Sequence, residues 1–133
     1  MLRPDVPLVD SRGIFDPNWF SFFFNALRIR APVTLDYGAT IATDVSRGDI
    51  FIITATDTNA FTISAPTYPV KGQVVTYVIK NNSGGTLGTP TWDAVFKMAA
   101  FTKPANGFNT TTQFHYDGTN WIQRYQNGAN IPN

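Results

Sequence analysis

Cysteine is absent from the 133 residues. Disulfides, thiolate metal sites and cysteine nucleophiles are therefore excluded. The compartment stays open, because a thiol-free chain folds in either redox setting. Glutamate is absent as well, so all nine acidic residues are aspartates. Glutamate favours helices, whereas threonine and the aromatics favour strands. Seventeen threonines against no glutamate tilt the composition to β. Histidine occurs once, at His115, too few for a usual zinc site. Charge is scarce: 14% of residues are charged, below the usual quarter, and the net charge is +1. Such a balance carries no electrostatic footprint for nucleic acid or an anionic membrane. The stretch 19–29 is apolar but short, roughly half of the ~20 residues that a membrane span needs. Residues 1–10 hold prolines and aspartates where a signal peptide needs an apolar run. Neither nucleic-acid binding nor membrane insertion is expected.

The length suits one domain with a short appendage. A domain of this size buries roughly two-thirds of its unfolded surface, enough for one core without staples. Residues 1–15 read as an extended arm interrupted by Pro4, Pro7 and Gly13. Asp16 and Pro17 then open a helix, as a good N-cap followed by the residue favoured at the first helical position. Arg28 and Arg30 complement the dipole in its last turn, and Pro32 stops it. Trp19, Phe23, Ala26 and Leu27 form one apolar stripe, which Phe20, Phe22, Phe24 and Ile29 widen over much of the circumference. A helix lying on a single core needs a stripe of somewhat over ~100°. This one needs two surfaces. Either it plugs into its own β domain, or it packs against copies of itself or a larger assembly. Trp19, Phe20, Phe22, Phe23, Phe24 and Leu27 are accordingly the candidate oligomerisation and docking residues.

From residue 31 onward the pattern is β. Strands are expected at 40–43, 49–54, 59–64 and 72–81, with short ones at 89–92 and 96–98 and a closing pair at 109–116 and 121–125. Asn81-Asn82-Ser83-Gly84-Gly85, Pro104-Ala105-Asn106-Gly107 and Asp117-Gly118-Thr119-Asn120 read as turns, the last a tight hairpin. Roughly seven or eight short strands, with turns about every 8–12 residues, predict a mainly β protein. Its architecture is expected to be an antiparallel β-sandwich or jelly-roll-like domain over 32–133, preceded by one N-terminal α-helix within 1–31. No internal repeat is visible.

Three segments carry a resemblance. They are Pro17-Asn18-Trp19-Phe20-Ser21-Phe22-Phe23, the strand and turn 72–88 from Gly72 to Gly88, and Phe114-His115-Tyr116-Asp117-Gly118-Thr119-Asn120-Trp121. Together they resemble small structural proteins of tailed bacteriophages: head or tail fibre, decoration or minor tail proteins. A surface poor in charge and rich in Thr, Asn and Gly suits that setting. The resemblance implies a virion location, reached by assembly in the bacterial host cytoplasm, and a homotrimer. It implies contacts with other virion proteins (capsid, portal, collar or tail) and no catalytic residue.

A search for chemistry yields little. His115 and Asp117 fall on one side of a strand, but no Gly-x-Ser-x-Gly elbow supplies a nucleophile. Paired carboxylates for glycoside hydrolysis would have to come from Asp44, Asp49, Asp57, Asp93 and Asp117, and each sits where a turn aspartate is expected. Asp57-Thr58-Asn59 is too short to cage calcium. No phosphate-cradling glycine motif occurs. No cofactor, metal or enzymatic activity is expected. Trp92, Tyr116, Trp121 and Tyr125 are candidate glycan contacts, with a host surface glycan as partner; the plainer reading is that they fill the core and its rim. The sequence thus points to a homotrimeric fibre or fibre-base protein held to the virion by its N-terminal helix. A capsid decoration protein and a glycan-binding receptor-recognition module are the alternatives.

Overall fold

The computed structural model describes residues 7, 9, 12–13, 17–19, 30–128 and 130–133. The chain divides into two compact units, Met1–Ala31 and Pro32–Asn133. In the first, residues 17–19 are helical. The second is built from strands alone among the described residues, and the protein is mainly β.

Successive strands alternate between two sheets. β1 (Val33–Leu35), β3 (Ile50–Ala55) and β5 (Val74–Asn81) lie side by side in a long sheet. β2 (Thr40–Ile41), β4 (Phe61–Ile63) and β6 (Pro90–Trp92) form a short one. Every pairing within these two sets is parallel. The chain therefore climbs through three stacked coils, each giving one strand to each sheet, in a β-solenoid-like arrangement. A parallel bridge between Asp44 and Thr67 links the coils at a third position.

The series then ends. After β7 (Phe96–Lys97), β8 (Phe108–Tyr116) runs antiparallel to β5 and forms a hairpin with β9 (Trp121–Gln126). β7 pairs β9, and β10 (Ile131–Pro132) pairs β8. A parallel stack left open would offer its last edge to another chain; here β8 covers that of β5.

The expectation of an antiparallel sandwich or jelly roll is corrected by this topology. The expected strands recur within a few residues, with β1 and β10 in addition, but their connections differ. The five residues between Ala55 and Phe61 carry the chain from the long sheet onto the short one, so β4 pairs parallel there instead of antiparallel beside β3. The repeat escapes notice because the coils differ in length. Val33 pairs Phe51, 18 positions on, whereas Phe51 pairs Tyr77, 26 positions on.

Parallel stacking sets like on like inside the coils. Leu35, Ile53 and Ile79 form one buried ladder, and Ile41 and Ile63 lead to Trp92 in another. Phe51 stacks on Tyr77, whose hydroxyl donates a buried bond to Thr43 Oγ1 at 3.0 Å. Burial pushes the Tyr77 phenol strongly up. At the end of β5 the fully buried Asn81 locks the next corner. Its Nδ2 donates to the carbonyls of Gly85 and Pro104, both at 3.0 Å, and its Oδ1 accepts from Ser83 N at 3.1 Å and Ser83 Oγ at 2.6 Å. Gly88 sits where two coil corners touch: a Cβ there would lie 1.8 Å from the Asn59 carbonyl oxygen. Only glycine allows that approach.

Candidate functional site

The long sheet has an outer face, and its composition is unusual. Along β3 and β5 the residues alternate between fully buried and part-exposed, so Ile50, Ile52, Thr54 and Val74, Thr76, Val78, Lys80 point away from the core. Register carries this face across the strands. One row runs Ile50, Thr76, Gln113, Tyr125; the next runs Thr34, Ile52, Val78, Thr111. Beside them lie Thr54, Lys80, Asn109 on one side and Val74, His115, Ile122 on the other. No aspartate occurs in any row. Gln113 Nε2 donates to Thr76 Oγ1 at 3.2 Å, tying two of the polar groups flat against the sheet. Ile50 is 38% exposed and Tyr125 57%. Ile50, Ile52, Val74, Val78, Ile122 and Tyr125 are the apolar members of this face, set among threonines, Gln113, Asn109, Lys80 and His115; clustered exposed apolar residues of this kind suit an interaction site.

The residues singled out from the sequence fall in different places. Trp19 lies in the helical stretch and is half-buried. Phe20, Phe22, Phe23, Phe24 and Leu27 lie outside the described residues. Of the aromatic quartet, Trp121 is 1% exposed and presents no ring to solvent. Tyr116 packs on it, with ring centroids 4.9 Å apart. Trp92 is half-buried in an aromatic cluster, 5.1 Å from Phe96, 5.5 Å from both Tyr77 and Phe114 and 5.8 Å from Phe101. Tyr125 stands apart on the outer face of β9. The four are not brought together as one exposed platform: the inward side of the β8–β9 hairpin claims Trp121 and Tyr116 for the core.

The aspartates hold corners. Asp44, Asp57, Asp93 and Asp117 each accept, through Oδ1, the backbone N–H two residues on, at 2.8–3.0 Å. This is the local bond for which aspartate is favoured in turns. Asp117 also accepts from Asn120 N at 2.7 Å. The Asn120 and Thr119 amides hold its carboxyl below the usual range, helped less by His115 and Lys71. Asp57 is lowered by the Asn59 amide and then by Tyr37, whose hydroxyl donates to it at 2.8 Å. Tyr37 in turn is pushed up to about 12, by burial first and then by Asp57. The hydroxyls of Ser46, Ser64 and Ser83 likewise bond to corner and strand groups rather than to His115. Among the described residues no three His, Cys, Asp or Glu side chains gather as a metal site, and no helix is long and apolar enough to cross a membrane.

Comparison with protein-family models, curated proteins and solved structures finds no match for the chain. The site must be read from its own chemistry. The outer face escaped sequence reasoning, although a signal was present. Ile50-Phe51-Ile52-Ile53 is a continuous apolar run rather than an alternating one. Such runs belong to parallel strands that are covered on both faces.

Proposed function

We propose that this chain is a non-enzymatic structural protein that acts by assembly: a homotrimeric fibre or fibre-base component of a tailed-phage virion, attached to the head or tail through residues 1–31. The observation that carries the assembly reading is the aspartate-free face of the long sheet, on which Ile50, Ile52, Val74 and Val78 stand among threonines, with Gln113, Asn109, Lys80 and His115 beside them. Five neighbouring strands about 4.8 Å apart and some six residues long give a face of roughly 400–500 Å². A stable interface needs about 800 Å² from each partner. The face therefore supplies about half or more of a contact, and the apolar side chains of residues 19–27 supply the remainder. Both surfaces would be covered by other copies. The resemblance in 17–23, 72–88 and 114–121 supplies the trimer and the virion setting.

The test is the solution mass of the full chain by light scattering on a sizing column. A trimer is expected, and Val78→Asp or Phe23→Asp is expected to dissociate it while the far-ultraviolet β signal persists. A burial-dependent contact that receives an aspartate loses several kcal/mol, on the order of 2–4 kcal/mol per site. A monomeric wild type would refute self-assembly. A trimer indifferent to Val78→Asp would remove the sheet face from the contact. A monomer that binds assembled capsids in many copies would favour the decoration role.

A further inference from the structure

The Pro32–Asn133 unit carries two adjoining depressions. The first, of about 380 Å³, is lined by Trp92, Phe96, Met98 and Phe101 and reaches Lys103. The second, of about 490 Å³, is lined by Thr86, Asn106 and Asn130 and also reaches Lys103. Together they make one groove with an aromatic half, an amide and hydroxyl half, and a lysine at the junction. The volume of each depression is within the range of ordinary ligand sites, roughly 300–1,000 Å³.

Three of the polar groups in the groove carry N–H donors: Lys103, Asn106 and Asn130. The Lys103 ammonium makes a single long bond, 3.4 Å to Thr89 Oγ1, and has no acidic partner among the described residues. Asn106 and Asn130 spend their Oδ1 atoms on the Gly84 and Ala105 amides, each at 2.8 Å. Their Nδ2 groups have no partner among the described residues and so remain able to donate. Asn130 is held for this in the left-handed region, φ 72°, which asparagine tolerates. Among the described residues no carboxylate lines either half.

We infer that this groove binds an extended acidic saccharide, with a uronate-type carboxylate on Lys103, one sugar ring against Trp92 and Phe101, and hydroxyls accepting from Asn106 and Asn130. The half-buried rings suit the apolar face of a pyranose, and the ammonium and amide donors beside them suit a ligand rich in oxygen. The inference does not depend on the assembly reading, and it moves recognition away from Tyr116, Trp121 and Tyr125.

The test is a titration of the full ¹⁵N-labelled chain, followed by amide shifts, with tetragalacturonate, a hyaluronan tetrasaccharide, neutral maltotetraose and a tetraglutamate peptide. At least one uronate is expected to bind saturably, with shifts centred on residues 101–106 and 130. Lys103→Gln is expected to weaken it about tenfold, the loss of one charge-assisted hydrogen bond. Tyr125→Ala should leave it unchanged. The inference is overturned if neither uronate binds below about 10 mM, far weaker than ordinary recognition. It is also overturned if Lys103→Gln changes nothing, or if maltotetraose or tetraglutamate binds as tightly as the uronates.

Discussion

Asn81→Ala should be among the most damaging single changes in the β unit. The side chain is fully buried and makes four hydrogen bonds, two given to the Gly85 and Pro104 carbonyls and two accepted from Ser83. Each typical bond is worth about 1 kcal/mol net, and an orphaned buried acceptor costs about 1–3 kcal/mol. The expected loss is therefore about 3–4 kcal/mol, a large share of the ~5–15 kcal/mol that holds an ordinary domain. Ser83→Ala removes the hydroxyl bonds alone and should cost about 1 kcal/mol. Asn81→Asp is the sharper control. It keeps an acceptor for Ser83 but turns an oxygen toward two carbonyls. It should be worse than alanine at neutral pH. Burial raises the carboxyl's folded pKa above its unfolded value, so stability returns as pH falls through that raised pKa. The assay is urea unfolding at fixed protein concentration, with an unchanged slope required for comparison. An Asn81→Ala protein within about 1 kcal/mol of wild type would show that water replaces these bonds and would refute the reasoning.

Gly88→Ala should lower stability by about 2–3 kcal/mol or more, because its Cβ would meet backbone at 1.8 Å and neither corner can yield by a rotamer change; thermal unfolding reads this, and a neutral result would mean the corners do not touch. The Tyr37–Asp57 pair gives a pH dependence at both ends. Asp57, lowered on folding, contributes stability above its unfolded pKa that is lost as pH falls through the folded value. Tyr37, raised to about 12, contributes stability below its unfolded pKa that is lost as pH rises through about 12. Tyr37→Phe should remove the Tyr37 share of the alkaline loss, leaving that of the buried Tyr77, and let the Asp57 carboxyl rise toward its ordinary value in an NMR titration. Asp117→Ala should loosen the β8–β9 turn and speed amide exchange at Thr119 and Asn120, since both donate to its Oδ1.

Much of the β unit was legible residue by residue. Glycine, asparagine and aspartate clusters mark corners because their local hydrogen bonds and left-handed tolerance act within a few residues. Asp117-Gly118-Thr119-Asn120 is therefore found as a hairpin connection, closed by Asp117 N donating to Asn120 O at 3.0 Å. Alternation in 109–116 likewise places Phe114 on the core side. What a corner does next is not a local property. The same Asx turn can reverse a chain or hand it to a second sheet, and the choice rests on which distant strand completes the ladder. Asp57 and Asp117 make the same bond to the N–H two residues on, yet one leads from β3 into the short sheet and the other closes a hairpin.

The sequence by itself determined the β composition, the strand and corner positions, and the absence of thiol chemistry. These follow from residue type and from spacing within a few positions. Only the tertiary structure decided that β1, β3 and β5 stack in parallel. It alone buried Trp121, gathered Lys103, Asn106, Asn130 and the Trp92 cluster along one groove, and spread Ile52, Val78 and Thr111 into one face. The face joins Ile52 to Val78, 26 positions on, and Val78 to Thr111, 33 positions on, and the groove brings Asn130 beside residues 103–106. Their register is set by the packing of the whole core, and no short window of sequence contains it.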